Sequence, residues 1–404
     1  MTKDVNPDRR VPLSVLDLIP VTSGQHVGEA VGNAVDLARR TEEFGYRRFW
    51  IAEHHLNPGV AGSAPAVAIA LIAANTSSIR VGSGAVLAGN YSALGIVEQF
   101  GLIDALYPGR IDLGLGRSAH RAPGPPPKTD DQAPADDQLN TDDHEPVPTA
   151  ENGLLLPKGP KGLLGRIGRS PRFIAQAKLL GSLEVGQEYT DQVGDLLSLV
   201  AGEYADDDGV ALHAVPGEGA GFEVWVLGSS GGESAHLAGT RGLPFAANYH
   251  VAPERVLEAV DAYRSAFKPS ERLAEPYVAI SADVVVAEDD ESARRLAAGY
   301  APWVRSIRSG QGAIRFPSPE EADRLEWSDA DRALVADRTL TQFVGSAETV
   351  TARLEQLAEA TGADELIITT ITHRHADRVQ SYRLLAEHWT KSSPTPTAPE
   401  GDPR

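Results

Sequence analysis

The chain contains no cysteine. That excludes disulfides, thiolate metal sites, iron–sulfur clusters and cysteine nucleophiles together. It also lacks a long apolar run; stretches such as Ala64–Ala74 are too short and too rich in alanine to span a bilayer. The first ten residues, Met1–Arg10, are polar and mixed in charge with no apolar signal core, so the expected location is cytoplasmic. Cations are scarce: 37 Lys and Arg stand against 56 Asp and Glu, a net charge of −19. Nucleic-acid backbones and anionic membrane surfaces both recruit clustered cations, so neither is an expected partner. The remainder is the composition of a folded globular protein, 42% hydrophobic and 23% charged. The length of 404 residues suits one large domain with insertions or two ordinary ones.

Hydrophobic periodicity alternates along the chain between strand and helix patterns. Strand-like runs occur at Leu13–Val21, Arg47–Ala52, Ile79–Leu87, Arg110–Leu115, Glu223–Leu227, Pro244–Asn248, Val278–Ala287 and Glu365–Ile371. Helical spacing follows most of them. Ala30, Val31, Ala34, Leu37, Ala38 and Thr41 lead to a stop at Gly45. Ser63 is placed to cap a helix through Asn75, and Ala93–Leu106 reads as another, ended by Tyr107-Pro108-Gly109. Further helical stretches cover 171–201, Val256 to Phe267, the residues after Ser292, Val350 to Thr361 and Val379 to Trp389. Eight strands, mostly each followed by a helix, predict a single (β/α)8 TIM barrel with insertions; a doubly wound sheet is the alternative. Residues 121–169 are rich in Pro, Gly and Asp, and no Lys or Arg occurs between Thr129 and Pro157, so this segment is expected to be a peripheral insertion. Residues 300–340 read as polar and irregular, anchored by Trp303, Phe316 and Trp327. The Pro/Thr-rich tail after Ser392 is expected to be disordered.

Three strand ends carry candidate chemistry. Glu53-His54-His55 closes the second strand, which in a barrel is the catalytic rim. A carboxylate and two imidazoles there suit acid–base or hydrogen-bonding work, though polar strand ends are common. No metal signature accompanies them, because consecutive strand residues face opposite ways and no H-E-x-x-H occurs. His373 and His375, just past the eighth strand, are placed to share that rim or to be ordinary loop residues. Gly114-Leu115-Gly116-Arg117-Ser118 ends the fourth strand; its glycines admit close approach of a ligand, and Arg117 offers a phosphate fork. Position 119 is Ala, so the dinucleotide fingerprint is incomplete. Gly228-Ser229-Ser230-Gly231-Gly232 lies between the fifth strand and a helix from about Glu233. It suits an anion site at a helix N-terminus and equally matches the G-x-S-x-G nucleophile elbow of hydrolases, with Ser230 as nucleophile and Asp283 and His373 in the right chain order. No His-Gly-Gly oxyanion segment precedes it, and a hydrolase would leave the other two strand ends unused.

Taken together the segments resemble the bacterial-luciferase-like family of flavin monooxygenases. The resemblance rests on Ser14-Val15-Leu16-Asp17-Leu18, Trp50 to His55, Arg80 to Ala85, Glu98-Gln99-Phe100, Pro108-Gly109-Arg110 and Gly114 to Arg117. It continues through Val226 to Ser230, Gly242 to Ala246 and Gly345 to Val350, in family order over about residues 11–389. It implies a (β/α)8 barrel that uses reduced FMN or, in other branches, the deazaflavin F420. His54 matches the catalytic histidine. Arg117, Ser229 and Ser230 match the flavin phosphate site, with Ser234 as a further member, and Glu53 lies among the cofactor-binding residues. Gly84-Ala85 falls where family members place a non-proline cis peptide against the flavin ring. Gly116 stands where the light-emitting luciferases have a cysteine, so light emission is not implied.

The implied function is a monooxygenase that oxidises a small organic substrate with reduced FMN and O2. A separate NAD(P)H:flavin reductase would supply the cofactor, and a homodimer is the expected assembly. An F420-dependent oxidoreductase is the nearest alternative, a serine hydrolase the unrelated one, and a non-catalytic flavin-binding paralogue a third.

Overall fold

A computed structural model describes residues 10–117, 146–181 and 187–391. Eight parallel strands form a closed barrel: β1 (Leu13–Asp17), β2 (Arg48–Ile51), β3 (Arg80–Ser83), β4 (Ile111–Gly116), β5 (Glu223–Gly228), β6 (Phe245–Asn248), β7 (Val278–Ala287) and β8 (Glu365–Thr369). Each pairs with the next, and β8 returns to β1 with Leu13 opposite Leu366. All eight predicted strands are present, and closure removes the doubly wound alternative.

Strand alternation sorts the side chains into two cores. Val15, Phe49, Ile51, Val81, Leu113, Val224, Phe245, Ile280 and Ile368 face outward and pack under the helices. Leu16, Trp50, Trp225, Ala246, Ala279 and Ile367 fill the barrel. Trp50 and Trp225 meet edge to face at 5.1 Å. Below them the inward positions at the strand starts are charged. Arg48 Nη1 lies 2.9 Å from Asp112 and 2.9 Å from Glu223, and its Nε is 3.1 Å from Glu365. The Trp50 indole donates to Asp112, Tyr277 donates to Glu365, and Arg80 Nε reaches Asp112 at 2.8 Å. This floor is a saturated ionic layer.

Two short strands extend the barrel, one inside the run predicted as a single strand Ile79–Leu87 and one not predicted. Val86–Leu87 pairs with the end of β4, and Phe343–Ser346 pairs with Val284–Ala287 at the end of β7. The helix expected to start at Ser63 begins at Pro65 instead, and its cap residue Ala64 supplies no side-chain bond. The stretch 171–201 contains two helices, Pro171–Leu179 and Tyr189–Ala201.

The reading of 300–340 as irregular is corrected. Helices Tyr300–Arg308 and Asp329–Thr341 pack there with a short turn at Pro319–Ala322. Ser318 with Glu321 and Ser328 with Asp331 form capping boxes that compensate for polar helix surfaces. Of the three anchors, Trp303 and Phe316 are buried and Trp327 is half-buried.

Of the insertion at 121–169, residues 121–145 lie outside the described residues, as does the tail after Ser392. Residues 146–169 are described and do not stand apart from the barrel. Leu154 is buried in the outer core, Leu155 O accepts from Tyr249, and Asn152 exchanges bonds with Gln356. The side chain of Leu154 and the carbonyl of Leu155 anchor this stretch.

Candidate functional site

The C-terminal ends of the strands form a concave mouth. Past β2 the chain turns back, with His54 N donating to Gly62 O at 2.7 Å. Alternation then separates the three motif residues: Glu53 and His55 take one side and His54 the other. Glu53 is buried with its oxygens spent. Oε2 accepts from Leu87 N at 2.8 Å, and Oε1 accepts from Asn90 at 2.9 Å and lies 2.6 Å from His55 Nε2. Glu53, expected among the cofactor-binding residues, here holds the segment after β3, which carries the Gly84–Ala85 peptide. That peptide is cis, as the resemblance implied. A Cβ on Gly84 would sit 2.8 Å from Leu16 and 3.0 Å from Trp50, so only glycine lets the backbone close over the inner core.

Solvent reaches the His54 ring, yet protein crowds it on most sides. That crowding, with His55 adding, pushes the imidazole down to about 4 and leaves it neutral near pH 7. His250 lies two residues past β6, with Nδ1 2.6 Å from Ser281 Oγ. Burial pushes it down to about 4, Asp283 opposes, and Arg338 and His54 add to the depression. Two neutral imidazoles thus share one mouth. Behind His250, Tyr300 donates to Asp283, Arg338 Nε donates to Tyr300 at 3.2 Å, and Arg338 Nη2 stands 3.4 Å from Asp283. His250 was legible in principle, since it follows a strand much as His54 does. Tyr300 and Arg338 were not, because they sit in the stretch read as irregular.

On the β4–β5 side, Arg117 and the turn after β5 come together. Arg117 Nη1 lies 2.9 Å from Glu233, the first residue of helix Glu233–Thr240, and Thr190 donates to the other Glu233 oxygen at 3.0 Å. Gly231 N donates to Glu258 at 3.2 Å. Ser229 is exposed, Ser230 half-buried and Ser234 buried under the turn. Two of the protein's own carboxylates therefore occupy a guanidinium and an amide that an anion would use. Donors at a helix N-terminus with hydroxyls beside them fit a phosphate. Ser118 lies outside the described residues.

The two candidate histidines after β8 bond to the loop and the helix that follow β1. His373 Nε2 is 3.1 Å from Ser23 Oγ, and His375 Nε2 is 2.9 Å from Asp36 on helix Val27–Glu43. With His373 on Ser23 and Asp283 on Tyr300, the Ser230–Asp283–His373 triad of the hydrolase reading is not assembled.

Comparison with known proteins agrees. The profile of the luciferase-like monooxygenase family matches residues 11–124 and 182–365. A luciferase-like monooxygenase of Escherichia coli is 33% identical over 380 residues, covering 94% of this chain and 97% of its own. The structure of apo-MsnO8 superposes with a TM-score of 0.73 at 31% identity, covering 95% of this chain and 98% of its own. The oxygenating constituent of 3,6-diketocamphane monooxygenase from Pseudomonas putida, in complex with FMN, shares the fold with a TM-score of 0.60 at 18% identity, covering 95% and 98%. Matched across both halves of the barrel and along nearly the whole of a relative, this chain belongs to the luciferase-like monooxygenase family.

Proposed function

We propose that the protein is a monooxygenase that holds reduced FMN in the barrel mouth and uses O2 to oxidise a small organic substrate. The observation that carries this reading is the pairing of two half-sites on one rim. Arg117 meets helix Glu233–Thr240 on one side, and neutral His54 stands beyond the cis Gly84–Ala85 peptide on the other. The donor set fits the cofactor's phosphate, and the glycine backbone above Trp50 fits a flat ring. Arg117, Ser229, Ser230 and the start of that helix would hold the phosphate. Ser234, buried beneath, supports the turn. Reduced FMN supplies the reaction with O2 and the organic chemistry. The chain supplies orientation, an apolar lining of Leu16 and Trp50 that excludes water, and at His54 a neutral ring nitrogen able to accept a proton or a hydrogen bond. The proposal includes a separate NAD(P)H:flavin reductase as the source of reduced cofactor.

The test is Arg117→Ala. A charge-assisted contact is worth about 1.5–3 kcal/mol, so FMN should weaken about tenfold to a hundredfold while riboflavin changes little. Equal losses for both ligands would remove Arg117 from the phosphate site. Titration of FMN, reduced FMN and F420 on the wild type separates this reading from its F420-using relative.

We infer further that the partner is a second copy of the chain. Helices Pro65–Ala73 and Ala93–Leu106 are apolar on nearly every face, unlike an ordinary surface helix. Their outward residues Val67, Leu71, Leu94, Leu102 and Leu106 are exposed, Leu106 to 71%. Exposed apolar residues gathered on two helices in contact mark an interface. Leu102→Glu with Leu106→Glu should convert a dimer to a folded monomer in sedimentation; a wild-type monomer would refute the assignment.

A further inference from the structure

Resting on the mouth being the oxidation site, we propose that its substrate is a carboxylic acid whose carboxylate docks on Arg338, beside His250 on the β7 side. Other buried arginines of the described chain are well supplied with acceptors. Arg48 meets Asp112, Glu223 and Glu365. Arg308 bonds both oxygens of Asp337 and the Leu334 carbonyl, and Arg378 bonds Thr370 O at 2.7 Å and Asp17 at 2.9 Å. Arg338, on helix Asp329–Thr341, has Tyr300 Oη at 3.2 Å and Asp283 at 3.4 Å, and among the described residues no acceptor stands at Nη1. A separation of 3.4 Å is long for a charge-assisted bond, and the same Asp283 oxygen already accepts from Tyr300. A guanidinium has five donors in a fixed fork, so most of this one's capacity is unspent.

Two more buried donors nearby are unspent. Trp303 stacks on Tyr300 at 6.3 Å, and its Nε1 has no partner among the described residues. Thr369, in register with Asp283 across β7 and β8, is buried with its hydroxyl unpaired among the described residues. Buried polar groups are normally satisfied, and a cluster left with surplus donors awaits an acceptor-rich ligand. The fork of Arg338 matches a planar carboxylate bidentately. Asp283 already offsets part of its charge, which favours a monoanion over a phosphate dianion. Around these donors Leu18, Trp303, Phe316 and Ile371 belong to one apolar cluster. The ligand is therefore an acid with an apolar body.

The experiment is calorimetric titration of the protein, with and without FMN, using 3-phenylpropanoate and its neutral amide. The acid should bind about tenfold or more tighter, as a charge-assisted contact allows. The double variant Arg338→Met with Asp283→Asn removes the ion pair together, so no lone charge is left buried. It should keep FMN affinity and lose the preference for the acid. Equal binding of acid and amide, no detectable binding of the acid, or a preference surviving in the double variant would overturn the proposal. Preference for the acid in a protein that binds neither FMN nor reduced FMN would support the carboxylate site and overturn the flavin reading instead.

Discussion

The floor and the mouth of the barrel are both lined with charged and polar groups, and they treat them in opposite ways. On the floor every group is spent on another: Arg48 spans three carboxylates, Trp50 caps Asp112, and Ser14 and Tyr277 donate to Glu365. In the mouth the Trp303 indole and the Thr369 hydroxyl lack partners among the described residues, and two imidazoles are held neutral. A saturated network rigidifies and has nothing left to offer a ligand. An unsaturated one at the strand C-termini is costly alone, and its cost is offset when a ligand completes it.

The largest expected effect breaks the mouth without touching the floor. His54→Ala should lower substrate oxidation about 10²- to 10⁴-fold, the usual span of acid–base roles, with O2 diverted to hydrogen peroxide. Its melting temperature and flavin affinity should stay near wild type. His55, bonded to Glu53, serves packing, so His55→Ala should do the reverse. An active His54→Ala beside a folded but inactive His55→Ala would invert the assignment.

Next in size is the floor. Arg48→Met strands Asp112 and Glu365, both buried, without their cation. Removing one partner of a buried pair costs about 3–5 kcal/mol, read as a shift in urea unfolding. Loss of less than about 1 kcal/mol would show the floor to be no more than a surface-like pair network.

The smallest effect separates the two regions by pH. Unfolded imidazoles take protons near 6.5, whereas His54 and His250 resist protonation until about 4. Below about 6.5 the unfolded chain binds more protons, so stability is full above that pH and falls as pH drops toward 4. On the floor, Glu223 is held below its ordinary 4.5 with burial opposing and Arg48 the leading downward cause, so its loss begins only at lower pH. His250→Asn should flatten the slope of unfolding free energy between about pH 6.5 and 4.5 and leave the more acid limb unchanged. An unaltered slope would mean that His250 titrates normally.

What the sequence by itself determined is the succession of eight strands and the helices between them, because alternating and helical periods are written in consecutive residues. A barrel and a doubly wound sheet both bury the two faces of such strands, and only the pairing of β8 with β1 decided between them. The positions of His54, Arg117 and Ser229 at strand ends followed from the same patterning, because local periods are written in consecutive residues. Tertiary structure decided which of these groups are available. Glu53 and His54 are neighbours in the chain, but pleating sends one into a closed network and the other into the mouth. His373 follows the eighth strand yet turns to Ser23, while Arg338 arrives in the mouth from a helix whose sequence carried no rim signal. Whether a side chain's donors and acceptors are already spent depends on partners tens or hundreds of residues away, and no local pattern encodes that.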